Sequence, residues 1–227
     1  MDTLKFGQDV GHNKKFDEKG NAHHFPGNTI VCILDHASEV FRNVAMERER
    51  LKASPIASCM TFLPDKSLHM TAIEGVVDKR REPERWTTKL PLDCPLVEVD
   101  DFFEKEFKKI PPLGKVRMRF DHLRCISGIV VALRPETEED DKRIRSWREL
   151  VSKGLGLRFP GFETYEFHIS MGYGIKEPDA MTLQALEEEK ARFDAQCIAH
   201  PFSFEVPPAS LTFFDDMLFF NTHRIPR

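Results

Sequence analysis

"SLHMTAIEG", residues 67–75, alternates polar and apolar side chains in the way that a half-buried strand does. Side chains two positions apart on a strand point the same way, so His69 and Thr71 share one face. Leu68 and Met70 lie on the other face. A face that carries an imidazole and a hydroxyl is poorly suited to packing. The pattern therefore predicts a strand with one side in the core and the other lining a cleft.

A second stretch, "EFHISMGYG" (166–174), repeats this arrangement. Here His168 and Ser170 share the polar face, and Phe167 and Ile169 share the apolar one. Each half of the chain also contains an apolar strand and an amphipathic helix before its histidine strand. Two units of this kind favour an α+β fold with two pseudo-symmetric lobes, each with an antiparallel sheet and helices, on either side of a central cleft.

The chain is predicted to form a single bilobal domain over 1–227. Residues 1–28 are polar and rich in Gly, Asn and Lys, which predicts an irregular amino-terminal arm. The lobes are expected to be built around the strands 67–73 and 166–173. No low-complexity linker separates them.

Composition narrows the possible partners. The chain has 227 residues, 41% of them hydrophobic, and a formal net charge of −4. This balance argues against binding long nucleic acid, although a local pocket could hold a small phosphorylated nucleotide or a short oligonucleotide. Five cysteines without a C-x-x-C pair indicate reduced thiols and a cytoplasmic protein. No signal peptide or membrane span is expected, and a monomer is the default assembly.

The chemistry of the polar faces points to phosphoryl transfer. Imidazole titrates near pH ~6.5, so it can give or take a proton at neutral pH. Two imidazoles on opposite sides of one phosphorus atom could deprotonate the attacking water or hydroxyl and protonate the leaving oxygen. A nearby hydroxyl can donate a hydrogen bond to a phosphoryl oxygen. This chemistry needs no metal and no other cofactor.

The two motifs resemble those of a known group of enzymes. "LHMT" and "FHISMGYG" look like the paired signatures of the two-histidine (2H) phosphoesterase superfamily. "KFDEKGNAHHFPGNTIVCILD" (15–35) further resembles a bacterial and fungal branch of it that is described as a domain of unknown function. The resemblance implies that His69 and His168 are catalytic and that Thr71 and Ser170 bind the substrate phosphate. It also implies metal-independent hydrolysis of a 2′,3′-cyclic phosphate or a related phosphodiester of a nucleotide or RNA end.

Two other functions remain open. The first is a non-catalytic protein that uses the same cleft to bind a nucleotide or phosphate. The second is a metallohydrolase that uses His23, His24, Asp35 and His36, but adjacent histidines on an extended chain point apart, and the spacing matches no usual ligand set.

Two further aromatic side chains have structural interpretations. Strict alternation places Tyr173 on the packed face of its strand, unless Gly172 forms a bulge. His122 alternates with the apolar residues Met118 and Phe120, which predicts a hydrogen-bonded histidine in the core or at the edge of the cleft. The sequence leaves open which of His69 and His168 is the base.

Overall fold

The computed structural model describes residues 4–224, and its α+β architecture confirms the predicted fold class. These residues form four α-helices and eight strands. The helices are α1 (Glu39–Lys52), α2 (Leu96–Phe107), α3 (Glu138–Leu155) and α4 (Ala180–Ala199). The strands are β1 (Gly27–Ile33), β2 (Met60–Phe62), β3 (His69–Val77), β4 (Arg117–Cys125), β5 (Gly128–Pro135), β6 (His168–Gly174), β7 (Ser203–Glu205) and β8 (Ser210–Phe214).

Within residues 4–224 the strands form one antiparallel sheet with the order β7-β4-β5-β6-β3-β1-β8, and β2 also pairs with β6. Its two halves, β8-β1-β3 and β6-β5-β4-β7, are joined by the pairing of Met70 with Ile169. Each half carries one histidine strand. Because β2 pairs with β6 and β8 pairs with β1, each half of the sheet includes a strand from the other half of the sequence.

The helices follow from local sequence signals. Ser38 caps α1 by accepting a hydrogen bond from the backbone N–H of Phe41, and α1 buries Val40, Val44 and Leu51. Helix α1 contacts β6, α3 contacts β5, and α4 contacts β4, so the apolar helix faces cover the sheet. No helix within residues 4–224 combines the length and the apolar character that crossing a bilayer requires.

Residues 4–26 of the amino-terminal arm contain no helix and no strand, and they are closely packed. The Phe6 ring lies where a Cβ on Gly174 would be, within 2.1 Å of that position. The backbone N–H of Gly7 donates to the carbonyl of Gly174 at 2.9 Å. Further along the arm, the Gly20 carbonyl accepts a hydrogen bond from the Thr61 hydroxyl at 2.9 Å. The arm is therefore fixed to β2 and to the end of β6.

Strand β3 contains a bulge that changes which side chains face the cleft. Thr71 and Ile73 pair with consecutive residues of β1, so Ala72 is an extra residue without a partner there. The alternation moves by one position beyond this point. As a result Glu74 joins Thr71 on the cleft face, while Ile73 is buried.

Strand β6 has a matching bulge. Ser170 and Gly172 pair with consecutive residues of β5, which leaves Met171 as the extra residue. Tyr173 consequently lies on the cleft face. The expectation that Tyr173 belongs to the packed face is wrong, because strict alternation holds only in a strand without a bulge. Glu74 and Tyr173 now occupy equivalent positions, five residues after each motif histidine.

Strand β4 is also irregular, and this moves His122 out of the predicted core. The register shifts between Phe120 and His122, so Leu123 rather than His122 continues the buried face. The His122 side chain is 36% exposed, and its Nδ1 lies 3.0 Å from a carboxylate oxygen of Asp121. His122 is hydrogen-bonded, as predicted, but it does not line the cleft.

A buried arginine stabilises the bulge in β3. Arg148 of α3 is 2% exposed and donates hydrogen bonds to the carbonyls of Ala72 and Phe162. Its guanidinium also lies 4.4 Å from the centroid of the Tyr165 ring. The carbonyl of the bulged residue Ala72 is thus paired with a charged donor.

We expect Arg148→Met to lower the free energy of unfolding by about 2–6 kcal/mol, because two buried carbonyls lose their donor at about 1–3 kcal/mol each. Urea denaturation measures this change. Arg143→Met is the matched control, since Arg143 also donates to a carbonyl, that of Lys115, but on the exposed side of α3. An equal loss for both variants would contradict a special role for Arg148.

Candidate active site

The four side chains predicted from the two motifs line one cleft. His69, Thr71, His168 and Ser170 all contribute to a cavity of ≈ 220 Å³. Met70 and Ile169 are paired antiparallel, which sets His69 beside Ser170 and Thr71 beside His168. The two histidines are therefore diagonal neighbours, a relation that spans roughly 7–8 Å between strands.

Both imidazoles are held in the same way. Nδ1 of His69 lies 2.7 Å from the carbonyl oxygen of Ser67, and Nδ1 of His168 lies 2.9 Å from that of Glu166. A carbonyl only accepts, so each Nδ1 carries the proton and donates it. Nε2 is then the unprotonated nitrogen of each neutral ring. This anchoring fixes the ring plane and the tautomer of both histidines.

A positively charged side chain, that of Arg124, lies beside His168. Nη2 of Arg124 lies 3.2 Å from Nδ1 of His168, and the Arg124 guanidinium also pairs with Glu166. Since Nδ1 already donates to the Glu166 carbonyl, we interpret the Arg124 contact as a charge beside the ring rather than a second hydrogen bond. This charge disfavours the imidazolium form of His168.

Burial keeps both histidines neutral at pH 7. Burial, with a smaller contribution from the charge of His168, lowers the pKa of His69 to about 4, although the hydrogen bond to the Ser67 carbonyl acts in the opposite direction. Burial also lowers the pKa of His168 to about 4, with contributions from the charges of Arg124 and Lys15. The effect of His168 on His69 is expected of imidazoles that share one cleft.

These pKa values predict a pH-dependent stability. An unfolded histidine has a pKa of about 6.5, so between pH ~4 and ~6.5 the unfolded chain binds protons that the folded chain does not. The free energy of unfolding is therefore expected to rise with pH in this window, by up to about 1.4 kcal/mol per pH unit for each histidine. Urea denaturation at pH 4.5, 5.5 and 7 measures the slope. The double variant His69→Asn/His168→Asn should flatten it, and an unchanged slope would contradict the assignment.

The Thr71 hydroxyl has a partner that the sequence did not indicate. Tyr165 and Thr71 are joined by a side-chain hydrogen bond, and the Tyr165 ring centroid lies 6.1 Å from that of His168. Burial raises the pKa of Tyr165, so its phenol stays protonated. The hydrogen bond with Thr71 opposes this rise in the pKa, and it fixes the position of the Thr71 side chain in the cleft lining.

The carboxyl-terminal segment forms the wall beside His69. The Phe220 ring centroid lies 4.2 Å from that of His69. The Ser67 hydroxyl donates to the carbonyl of Met217 at 2.7 Å, which ties this segment to the start of β3. No motif of the sequence identified Phe220 as a neighbour of the site.

A group of basic side chains also lines the cleft. Lys15 from the arm and Arg80 from the turn after β3 both contact the carboxylate of Asp9, at 3.2 and 3.3 Å. Nζ of Lys15 lies 4.4 Å from the centroid of the Tyr173 ring. Arg85 is a further basic residue of the lining. None of these residues belongs to either motif, which is why the motifs alone did not reveal them.

The histidines outside the motifs lie away from the cleft. Nδ1 of His23 is 3.2 Å from the carbonyl of Lys14, and the His36 ring stacks on Phe41 with centroids 4.4 Å apart. His24 and Asp35 are exposed. Within residues 4–224 no group of three or more His, Cys, Asp or Glu side chains is placed to hold a metal ion.

The motifs and the sheet define a protein of the two-histidine phosphoesterase class. A family model with the description "2H-phosphodiest: Domain of unknown function (DUF1868)" matches residues 15–128, half of the chain. The chain belongs to this family. The matched segment includes His69 and Thr71 and ends before the second motif.

A solved structure is similar over almost the whole chain. It is the conserved protein of unknown function ATU0111 from Agrobacterium tumefaciens, which is 29% identical, with a TM-score of 0.84 over 96% of this chain and 91% of that one. TT0787 of Thermus thermophilus is 13% identical, with a TM-score of 0.48 over 82% of this chain and 87% of its own. Usb1 of Kluyveromyces marxianus with uridine monophosphate is 12% identical, with a TM-score of 0.42 over 84% and 93%. The last two likenesses are too low to bear on function. No curated protein matches the chain significantly.

Proposed function

We propose that the protein is a metal-independent phosphodiesterase, in which His69 and His168 act as the general acid and the general base and Thr71 and Ser170 bind the phosphate. The observation that carries this proposal is the equivalent anchoring of the two imidazoles, each by Nδ1 to the carbonyl two residues earlier, at diagonal positions in one cleft. A rigid ring with a known tautomer is suited to proton transfer at Nε2.

The reaction needs one neutral and one protonated imidazole. The neutral ring takes a proton from water as the water oxygen attacks phosphorus, and the imidazolium gives its proton to the leaving oxygen as the P–O bond breaks. Both rings are neutral in the free protein at pH 7. An anionic phosphate between them favours the imidazolium form, so substrate binding itself raises the pKa of the ring that acts as the acid.

The cleft supports a small anionic substrate. Its volume of ≈ 220 Å³ suits a nucleotide or a short RNA end better than a long duplex. Lys15, Arg80 and Arg85 make the cleft locally basic on a chain whose formal net charge is −4. We therefore propose a cyclic phosphate or another phosphodiester of a nucleotide or short RNA end as the substrate.

A panel of 2′,3′-cyclic nucleotides, assayed with and without a chelator, tests the proposal. We expect phosphomonoester products, at a rate that the chelator does not change. Tight binding without turnover would instead assign the cleft to a non-catalytic nucleotide-binding protein. Loss of turnover in chelator would contradict the metal-independent mechanism.

A further inference from the structure

One wall of the cleft carries more positive charges than the neighbouring carboxylates neutralise. Asp9 is 3% exposed and contacts two cations, Lys15 and Arg80. Arg85 adds a third positive charge, and its contact with the exposed Glu82 is long, at 4.0 Å. A lysine has three donors and an arginine five, so the contacts with Asp9 leave donors on both cations for a ligand.

Lys15 is held in place and stays charged. Its side chain is 17% exposed, between the Asp9 carboxylate and the face of the Tyr173 ring. Burial alone would lower the Lys15 pKa, but the acidic groups of Tyr173 and Asp9 raise it, and the net shift is upward. A partly buried cation with a fixed position is a stronger anion site than a mobile lysine at the surface.

These cations lie apart from the place that a phosphate would occupy between the two histidines. Lys15 contacts Tyr173, which follows Ser170 by three residues on β6. At about 3.3 Å per residue, the cation lies roughly 7–10 Å along the strand from the Ser170 hydroxyl. This is about the span of one nucleoside. The cleft lining also contains the acid Glu74, whose charge raises the pKa of Tyr165 and opposes the lowering of the Arg148 pKa.

We propose that Lys15, Arg80 and Arg85 form a second anion subsite, which binds a phosphomonoester of the substrate about one nucleoside away from the phosphodiester that is cleaved. This inference rests on the proposed function for the position of the first phosphate. The substrate class is then a nucleotide or short oligonucleotide with a diester or cyclic phosphate at one end and a terminal phosphate at the other. The compact ammonium group of a lysine and the bidentate guanidinium groups of two arginines suit a phosphate with up to two negative charges.

Isothermal titration calorimetry, carried out separately with adenosine 3′,5′-bisphosphate and with adenosine 3′-monophosphate, tests this subsite. It measures binding affinity and does not require turnover. We expect the unmodified protein to bind the bisphosphate about tenfold or more tighter than the monophosphate, because the additional phosphate gains charge-assisted hydrogen bonds. Lys15→Met should reduce this ratio towards one. Arg85→Met removes a more exposed cation, with little risk to folding, and should reduce the ratio in the same direction.

Lys14→Met is the matched control, because Lys14 is adjacent in sequence, exposed, and outside the cleft lining. It should leave the ratio unchanged. Equal affinity of the unmodified protein for the two ligands would overturn the proposal. So would an equal loss of affinity for both ligands in Lys15→Met and Arg85→Met, which would assign the cations to the first phosphate. If no substrate were turned over, the proposed function would fail, whereas the affinity ratio would still decide the subsite.

Discussion

Replacing either His69 or His168 by asparagine is expected to lower kcat/KM for the cleaved phosphodiester by about 10²–10⁴-fold, the usual contribution of one general acid or base. Asparagine is chosen because its amide N–H can take the place of Nδ1 and keep the hydrogen bond to the Ser67 or Glu166 carbonyl. It has no atom at the position of Nε2. The loss would therefore report proton transfer rather than a change in local structure.

The same kinetic measurement on His122→Asn provides the control, since His122 is partly exposed and does not line the cleft. We expect its kcat/KM to stay within about threefold of the unmodified protein, because surface substitutions away from a site have small effects. Circular dichroism and urea denaturation of all three variants check that they fold. Full activity in His69→Asn or His168→Asn would remove that residue from the mechanism.

The second large effect is expected at the two hydroxyls. Thr71→Val and Ser170→Ala each remove one donor to the phosphate, and a hydrogen bond to a charged group is worth about 1.5–3 kcal/mol. Each substitution should therefore reduce kcat/KM by about 10–150-fold. Thr71→Val has the additional consequence that Tyr165 loses its hydrogen-bond partner.

A split of this effect between kcat and KM shows where the hydroxyls act. A lower kcat with unchanged KM would mean that the hydrogen bond strengthens in the transition state, and a higher KM alone would mean ground-state binding. Thr164→Val is the control, because Thr164 is exposed in the segment before β6 and lies outside the cleft lining. If both hydroxyl variants kept the kcat/KM of the unmodified protein, Thr71 and Ser170 would have no part in phosphate binding.

Local pattern was enough to predict the class of the fold and the four motif residues of the site. A strand has a side-chain period of two, so a histidine and a hydroxyl two residues apart share a face whatever surrounds them. His69 and Thr71, and likewise His168 and Ser170, are therefore found together in the cleft. The helices were predictable for a similar reason, since the Ser38 cap and the apolar stripe of α1 are local signals.

The same rule failed where the strands bulge. Tyr173 was predicted on the packed face, and Glu74 was not predicted as part of the site. Both lie on the cleft face because Ala72 and Met171 are extra residues in β3 and β6. A bulge depends on the register against a neighbouring strand, and the β3 bulge is supported by Arg148 from a distant helix. Neither cause can be seen in the strand's own sequence.

By itself, the sequence determined which face of each histidine strand is polar and which residue types that face carries, because these follow from the geometry of an extended chain. Only the tertiary structure decided which other side chains lie opposite that face in the cleft. Lys15 of the arm, Arg80 of a turn and Phe220 near the carboxyl terminus reach the cleft through long-range packing and ion pairs. Contacts between segments so distant along the chain form only when the whole sheet is assembled, and no local period encodes them.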